Sequence, residues 1–265
     1  MNNVFDFKRF GNYFLYDLRN AKNNYALSLL ICGLLPIALF VFTQLISLIF
    51  QQETTELGVG AKYGQLFVAV IVVLLGAGTK LYGTLTEKRA GSNFLMLPAS
   101  TFEKWLSMGL IVCVVVPVVL FALQLGSDAL MSFLFPNTYG ERLLALVPLQ
   151  EMKDSMSEEG IHINFEGALF LNWCESILVF TLGAICFRKS KVAKTLLCLF
   201  AFGFLLSTLL LLIFGHGNFS FDSFTFFEDP TSAARTINWT VSILYTLVIG
   251  GLLAGIYYRL RTLKH

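Results

Sequence analysis

At 265 residues the chain is long enough for one or two soluble domains, but hydrophobic residues make up 56% of it and charged residues only 14%, against about 25% charged in an ordinary globular protein. That composition cannot clothe an aqueous surface, and it excludes a disordered tail, a disulfide mini-protein and a cytosolic enzyme. A net charge of +2 is too small to point to nucleic acid.

The chain opens with Phe7, Phe10, Phe14 and Leu18 at helical spacing, while Lys8, Arg9, Asp17 and Arg19 fall largely elsewhere. This pattern predicts an amphipathic helix over residues 5–22, lying along the membrane surface before the chain turns in. A plain extension of the first span is the alternative. The segment is too charged for a signal peptide, so the first span is expected to be retained.

Stretches of about 18 apolar residues can cross the ~30 Å hydrocarbon layer as helices, because a helix satisfies its own backbone groups. Six are expected: 26–50, 65–82, 105–125 with room to continue towards Phe135, 168–187, 196–214 and 239–258. The second is short unless Tyr63, Leu81 and Tyr82 belong to it. No soluble domain fits between them. The fold class is therefore an all-α polytopic membrane protein with a single transmembrane domain over 1–265.

Orientation follows from the loops. With the N-terminus inside, 15 Lys and Arg fall in inner segments and four (Lys62, Arg142, Lys153 and Arg235) outside. The positive-inside rule then places both termini in the cytoplasm. Acids mirror it, with four inside, twelve in outer loops, and Glu175 within the fourth span.

The longest inner loop, 83–104, joins the second and third spans. It carries an apolar knob, Phe94-Leu95-Met96-Leu97, flanked by Glu87, Lys88 and Arg89 before it and Glu103 and Lys104 after it. Pro98 stops any helix, and Ser100-x-x-Glu103 forms a capping box that starts one into the third span. A short apolar segment held between two helices is a docking element for a partner, or an interfacial knob resting on lipid. In the former reading Phe94 and Met96 are the buried anchors, and Glu87, Lys88, Arg89 and Glu103 are the charged rim.

The outer segment 126–166 is long and acidic, with Pro136 and Pro148, and should hold one or two short surface helices. In the fourth span Glu175 shares a face with Asn172 and Ser176. An intramembrane acid either lines a proton or substrate path or reaches interfacial water. Loop 215–237 carries five Phe between Phe219 and Phe227, a density expected of a segment that dips back into the outer leaflet or caps the bundle. The sixth span places Asn238, Ser242, Thr246, Gly250 and Ala254 at i+4 spacing, with Gly251 and Gly255 as a G-x-x-x-G pair. Such a face serves close helix packing or a polar lining.

Enzyme chemistry finds little purchase. The five cysteines form no C-x-x-C pair and read as core thiols, and no H-E-x-x-H or G-x-S-x-G occurs. The dipeptide Gly-Lys is absent, so there is no G-x-x-x-x-G-K-[ST] phosphate loop. The chain is not expected to hydrolyse ATP, to bind a metal or to hold a cofactor of its own.

Six spans, both ends inside, a leading interfacial helix and a structured loop after the second span resemble the permease subunit of a bacterial ATP-binding cassette exporter of the ABC-2 type. The string Leu95-Met-Leu-Pro-Ala-Ser-Thr-Phe-Glu-Lys-Trp105 is similar to the Leu-Pro-x-Ser-x-x-Glu-Lys loop of small permeases of that kind. The architectural likeness covers the whole chain, and the motif likeness about residues 85–107. The resemblance implies that 83–104 is a coupling loop seated on a separate ATPase, which binds ATP and Mg. It further implies a homo- or heterodimer of permease subunits in the cell inner membrane, and re-entrant helices in the 215–237 loop. The outer loop between spans three and four is longer than the family pattern. Alternatives are an ATP-independent transporter or channel, and an intramembrane enzyme.

Overall fold

A computed structural model describes residues 5–50, 57–87, 91, 94, 96–146, 165–214 and 230–262. Among these the chain is all helix, with no strand. In chain order the long helices are α1 (Phe7–Gly33), α2 (Leu35–Phe50), α3 (Val59–Tyr82), α4 (Thr101–Leu110), α5 (Val116–Leu134), α6 (Phe165–Cys186), α7 (Lys191–Phe214) and α8 (Pro230–Thr262). A π-helical turn, Ile111–Val115, joins α4 to α5 in one continuous rod from Thr101 to Leu134. Five helices or rods are long and apolar enough to cross a membrane, and α1 with α2 makes a sixth when that bent pair is taken as one span. The chain is built as a multi-pass helical membrane protein. Lys88, Arg89, the Phe-rich segment 215–229, residues 147–164 and the side chain of Asn238 lie outside the described residues.

The first span departs most from the sequence expectation. The chain makes no turn between residues 22 and 26, because α1 runs unbroken from Phe7 to Gly33. Asp6 caps it, accepting hydrogen bonds from the backbone N–H of Lys8 at 2.8 Å and of Arg9 at 3.2 Å. The break falls deeper, at Leu34, where α1 and α2 meet at a 43° bend. Pro36 explains it, since it has no N–H to offer the Cys32 carbonyl four residues earlier. That carbonyl instead accepts from the Gln124 side-chain amide of α5. One residue on, the Gly33 carbonyl accepts from Ser127 Oγ at 2.7 Å. The kink is thus braced by the third span, and a backbone carbonyl in a water-poor interior keeps a donor.

This bracing predicts a non-additive pair of substitutions. Gln124→Leu leaves the Cys32 carbonyl buried without its donor, at a cost of about 1–3 kcal/mol. In a Pro36→Ala background the new N–H can close onto Cys32, so the same substitution should cost much less. Thermal unfolding of the four proteins in detergent reads the coupling, and equal effects in both backgrounds would refute this account.

At the centre, α3 buries every fourth residue: Gln65, Ala69, Val73, Ala77 and Leu81. Ala69, Val73 and Ala77 are completely enclosed, as is Ile177 of α6. In lipid the association of helices rests on close van der Waals packing rather than on escape from water, so small side chains on this stripe matter. Its closest point is Gly78, whose Cα lies so near Thr181 that an added Cβ would stand 2.7 Å from the Thr181 Cα. The surrounding core draws on α1 (Tyr25, Leu29), the third span (Met108, Ile111, Val112, Leu120) and α8 (Ile256, Leu260).

The far end of the bundle has its own cap. One-turn helices at Pro136–Tyr139 and Leu143–Leu146 begin the segment in which surface helices were expected. Tyr139 is fully buried against Phe40 and Met131 and donates its hydroxyl to Asp128 at 2.7 Å. Lys62, read from sequence as an outer-loop charge, is in fact enclosed there. Its ammonium lies 4.0 Å from the centre of the Tyr139 ring and donates to the Glu141 carbonyl at 2.6 Å.

The last two helices are different. The apolar stretches of α7 and α8 are almost entirely exposed, whereas those of α3, the third span and α6 are some two-fifths buried. Within the single chain they are partnered mainly through the α6 face and, near the C-terminal end of α8, through α4.

Candidate functional site

The segment after α3 is held from three sides. A single 3₁₀ turn, Gly83–Thr86, ends α3, and its carbonyls accept from the basic 188–194 turn: Lys191 Nζ bonds the Gly83 oxygen and Arg188 Nε the Thr86 oxygen at 3.4 Å. At the other end Ser100 and Glu103 form the expected capping box, each side chain accepting from the other's backbone N–H. Between them Lys104 reaches back to donate to the Phe94 carbonyl at 2.7 Å, with its ammonium 4.8 Å from the Phe94 ring.

Glu103 does more than cap. Its carboxylate also receives Arg9 Nε at 2.9 and 3.0 Å, Arg9 Nη2 at 2.6 Å, and the Asp6 backbone N–H at 3.1 Å. A forked guanidinium–carboxylate contact fixes orientation as well as charge. The start of α1 is therefore clamped to the start of the third span. Two turns further along, Asp17 of α1 accepts from Tyr82 of α3 at 3.1 Å and from Ser107 of α4 at 2.7 Å. Trp105 donates its indole N–H to the Leu253 carbonyl of α8 at 2.8 Å and packs edge-on against Tyr257. The region near the N-terminus, the 83–104 loop and the end of α8 thus meet at one end of the bundle.

This geometry redistributes the roles expected for the loop. Met96 is 80% exposed and Glu87 is exposed, so both are free to meet a partner. Phe94 is half-buried against the core and Leu97 is partly covered. Glu103, read from sequence as a rim charge, is turned inward and buried, and so is its neighbour Lys104. The reason is physical: each has a better partner inside, the one a guanidinium and the backbone N–H groups of Ser100 and Asp6, the other a carbonyl and a ring face. The sequence pattern showed the capping box but could not show that Arg9, 94 residues away, completes it.

The polar intramembrane candidates separate. Asn172 and Ser176 line a largely apolar groove of about 840 Å³ between α3, the third span and α6, together with Trp173, Phe67 and Phe121. Glu175 is not part of its lining and is half-buried. The Trp173 indole N–H is buried with no partner among the described residues. On α8, Ser242 and Thr246 are exposed, and Thr246 bonds back to the Ser242 carbonyl at 2.7 Å. A Cβ at Gly251 would meet nothing within 4 Å, and one at Gly255 would touch only the Leu182 side chain at 3.6 Å. Within the single chain Gly255 approaches α6 at ordinary contact distance and Gly251 faces open space, whereas Gly78 meets the Thr181 backbone directly. A sequence signal for that contact exists in the Ala69, Ala77 and Gly78 run, but no spacing rule names its partner. No cluster of metal-ligating side chains occurs among the described residues. Comparisons with protein-family models, with curated proteins and with solved structures gave no match.

Proposed function

We propose that this chain is the membrane-spanning permease half of an ATP-binding cassette exporter of the ABC-2 type, working in the cell inner membrane. In this reading it pairs with a second permease subunit and is driven by a separate ATPase that binds ATP and Mg. The observation that carries the proposal is the way the 83–104 segment is built. It presents Met96 and Glu87 outward while bonds tie its ends and flanks to α1, the third span and the head of α7. The described ties of this loop reach three helices: Phe94 to Lys104 of α4, Glu103 to Arg9 of α1, and Gly83 to Lys191 of α7, the kind of linkage a coupling element requires. The exposed apolar flanks of α7 and α8, with Ser242, Thr246 and Gly251 on their surface, supply a face for the second permease subunit.

The test is co-purification in mild detergent of the tagged chain with a cassette ATPase, followed by ATP-driven transport. Truncating an interface anchor typically weakens a complex by ~2 kcal/mol or more, about 30-fold. Met96→Ala with Glu87→Ala should therefore release the ATPase and stop transport while leaving thermal unfolding unchanged, since neither side chain is buried. Phe94→Ala should act differently, lowering stability as well, because its ring covers the core. Should the Met96–Glu87 double variant hold the ATPase and transport normally, the coupling assignment fails; should no ATPase bind the parent chain, an ATP-independent transporter replaces the permease reading.

A further inference from the structure

We propose that the groove between α1 and the third span is a binding site for one anionic phospholipid. The groove encloses about 390 Å³ and its accessible wall is almost wholly apolar. Tyr25, Leu29 and Leu30 of α1 form one side; Ile111 and Val115 of the π turn with Val119 of α5 form the other. A π turn inserts an extra residue into the helical repeat and recurs at functional positions, and here it supplies two residues of the wall.

Charge is confined to one end. Arg19 and Lys22 border the groove with their carbon stems where α1 approaches its N-terminal half, leaving their charged ends exposed at its mouth, and neither is paired with an acid among the described residues. Asp17, the nearest acid on the same helix, is turned away onto Tyr82 and Ser107. Among the described residues no acid lines the groove. α1 and the third span run side by side in the same sense, since Asp17 meets Ser107 and the Cys32 carbonyl meets Gln124. Moving from Arg19 to Leu30 therefore moves from the two cations into purely apolar wall, over about 16 Å at the helical rise. That is about half of the ~30 Å hydrocarbon thickness, the depth of one leaflet. A negatively charged headgroup on Arg19 and Lys22, with an acyl chain laid along Tyr25, Leu30 and Val119, satisfies both ends. A soluble anion would use only the cations, and a second protein copy would leave two like charges facing its surface. This proposal stands independently of the permease reading, because it requires neither an ATPase nor transport.

The experiment uses the full-length chain in a neutral detergent. Thermal unfolding is followed while phosphatidylglycerol, phosphatidylcholine or inorganic phosphate is titrated in, with oligomeric state monitored throughout. Phosphatidylglycerol should raise the midpoint, phosphatidylcholine should do so only weakly, and phosphate alone should not. A Lys or Arg near an anionic lipid surface contributes about a factor of five in affinity, so Arg19→Gln with Lys22→Gln should shift the phosphatidylglycerol titration by about 30-fold. Lys189→Gln with Lys194→Gln makes the same charge change away from the groove and should leave the titration in place. Val119→Trp keeps both cations but fills the groove from its exposed edge, and it should also abolish the shift. The proposal is overturned if the two double variants lose affinity equally, if phosphatidylcholine matches phosphatidylglycerol, or if Val119→Trp binds as well as the parent. It is equally overturned if phosphate alone reproduces the effect, or if the stabilisation tracks dimer formation.

Discussion

Gly78→Leu should remove most of the folded protein, while Gly251→Leu, a larger-looking insult to a G-x-x-x-G pair, should leave the single chain intact. At Gly78 the first carbon of any side chain would lie 2.7 Å from the Cα and 2.9 Å from the N of Thr181. Both are backbone atoms and cannot swing aside, so α3 and α6 must separate. Overpacking a close-fitted contact costs about 1–3 kcal/mol, and a branched side chain adds further loss along the stripe. Ala77 and Val73, which have no exposed surface, would lose neighbours together with it. Gly78→Ala should fall between the parent and Gly78→Leu. At Gly251 the space is open, so the same Leu adds no clash within the chain. If α8 meets a second copy, Gly251→Leu lowers dimer content without lowering the monomer's unfolding midpoint. The measurements are unfolding temperature and monodisperse yield in detergent, with dimer content read separately. A Gly78→Leu protein that unfolds at the parent temperature would refute the close contact of α3 with α6.

The second large effect is expected at Glu103. Glu103→Ala removes the reciprocal cap of α4, worth about 1 kcal/mol on its own, and at the same time the acceptor for Arg9 and for the Asp6 N–H. The start of α1 is then released from the third span. Limited proteolysis near residues 5–12 should accelerate, and the unfolding midpoint should fall. Arg9→Gln should be milder, because the capping box survives it. The charge exchange Arg9→Glu with Glu103→Arg tests the two parts separately. It restores opposite charges, but an arginine at 103 cannot accept from the Ser100 and Asp6 N–H groups. Recovery should therefore be partial. Full recovery would mean that charge alone holds the ends together, and no effect of Glu103→Ala would mean that the clamp is inert.

Residue 103 also marks the limit of what patterns along the chain reveal. Ser100-x-x-Glu103 is a local signal, because a capping box is made within one helical turn, and it forms as expected. Arg9 as its completing partner is a contact across 94 residues, and no periodicity in α1 encodes it. The same division holds for the loop charges. Composition places Lys104 beside the knob, but only packing decides that its ammonium points back onto Phe94 rather than out to a rim. Lys62 repeats the lesson at the far end, where an apparently exposed cation is closed over by Tyr139.

Apolar length needed no partner to be legible. A run of some 20 apolar residues must be helical in lipid because its backbone groups have no other donors or acceptors, so the number of long apolar segments and the all-helical class follow from residue order alone. Which faces of those helices meet is a different quantity. In a chain where both core and lipid-facing positions are apolar, hydrophobicity no longer marks the inside, and the choice falls to shape and to a few hydrogen bonds. Hence the bend at Leu34, suggested by Pro36 but settled by Gln124 and Ser127, lay inside a stretch that reads as one uniform span. Hence also the tight contact at Gly78 with Thr181, where a small residue is matched to a backbone that comes close enough to need it.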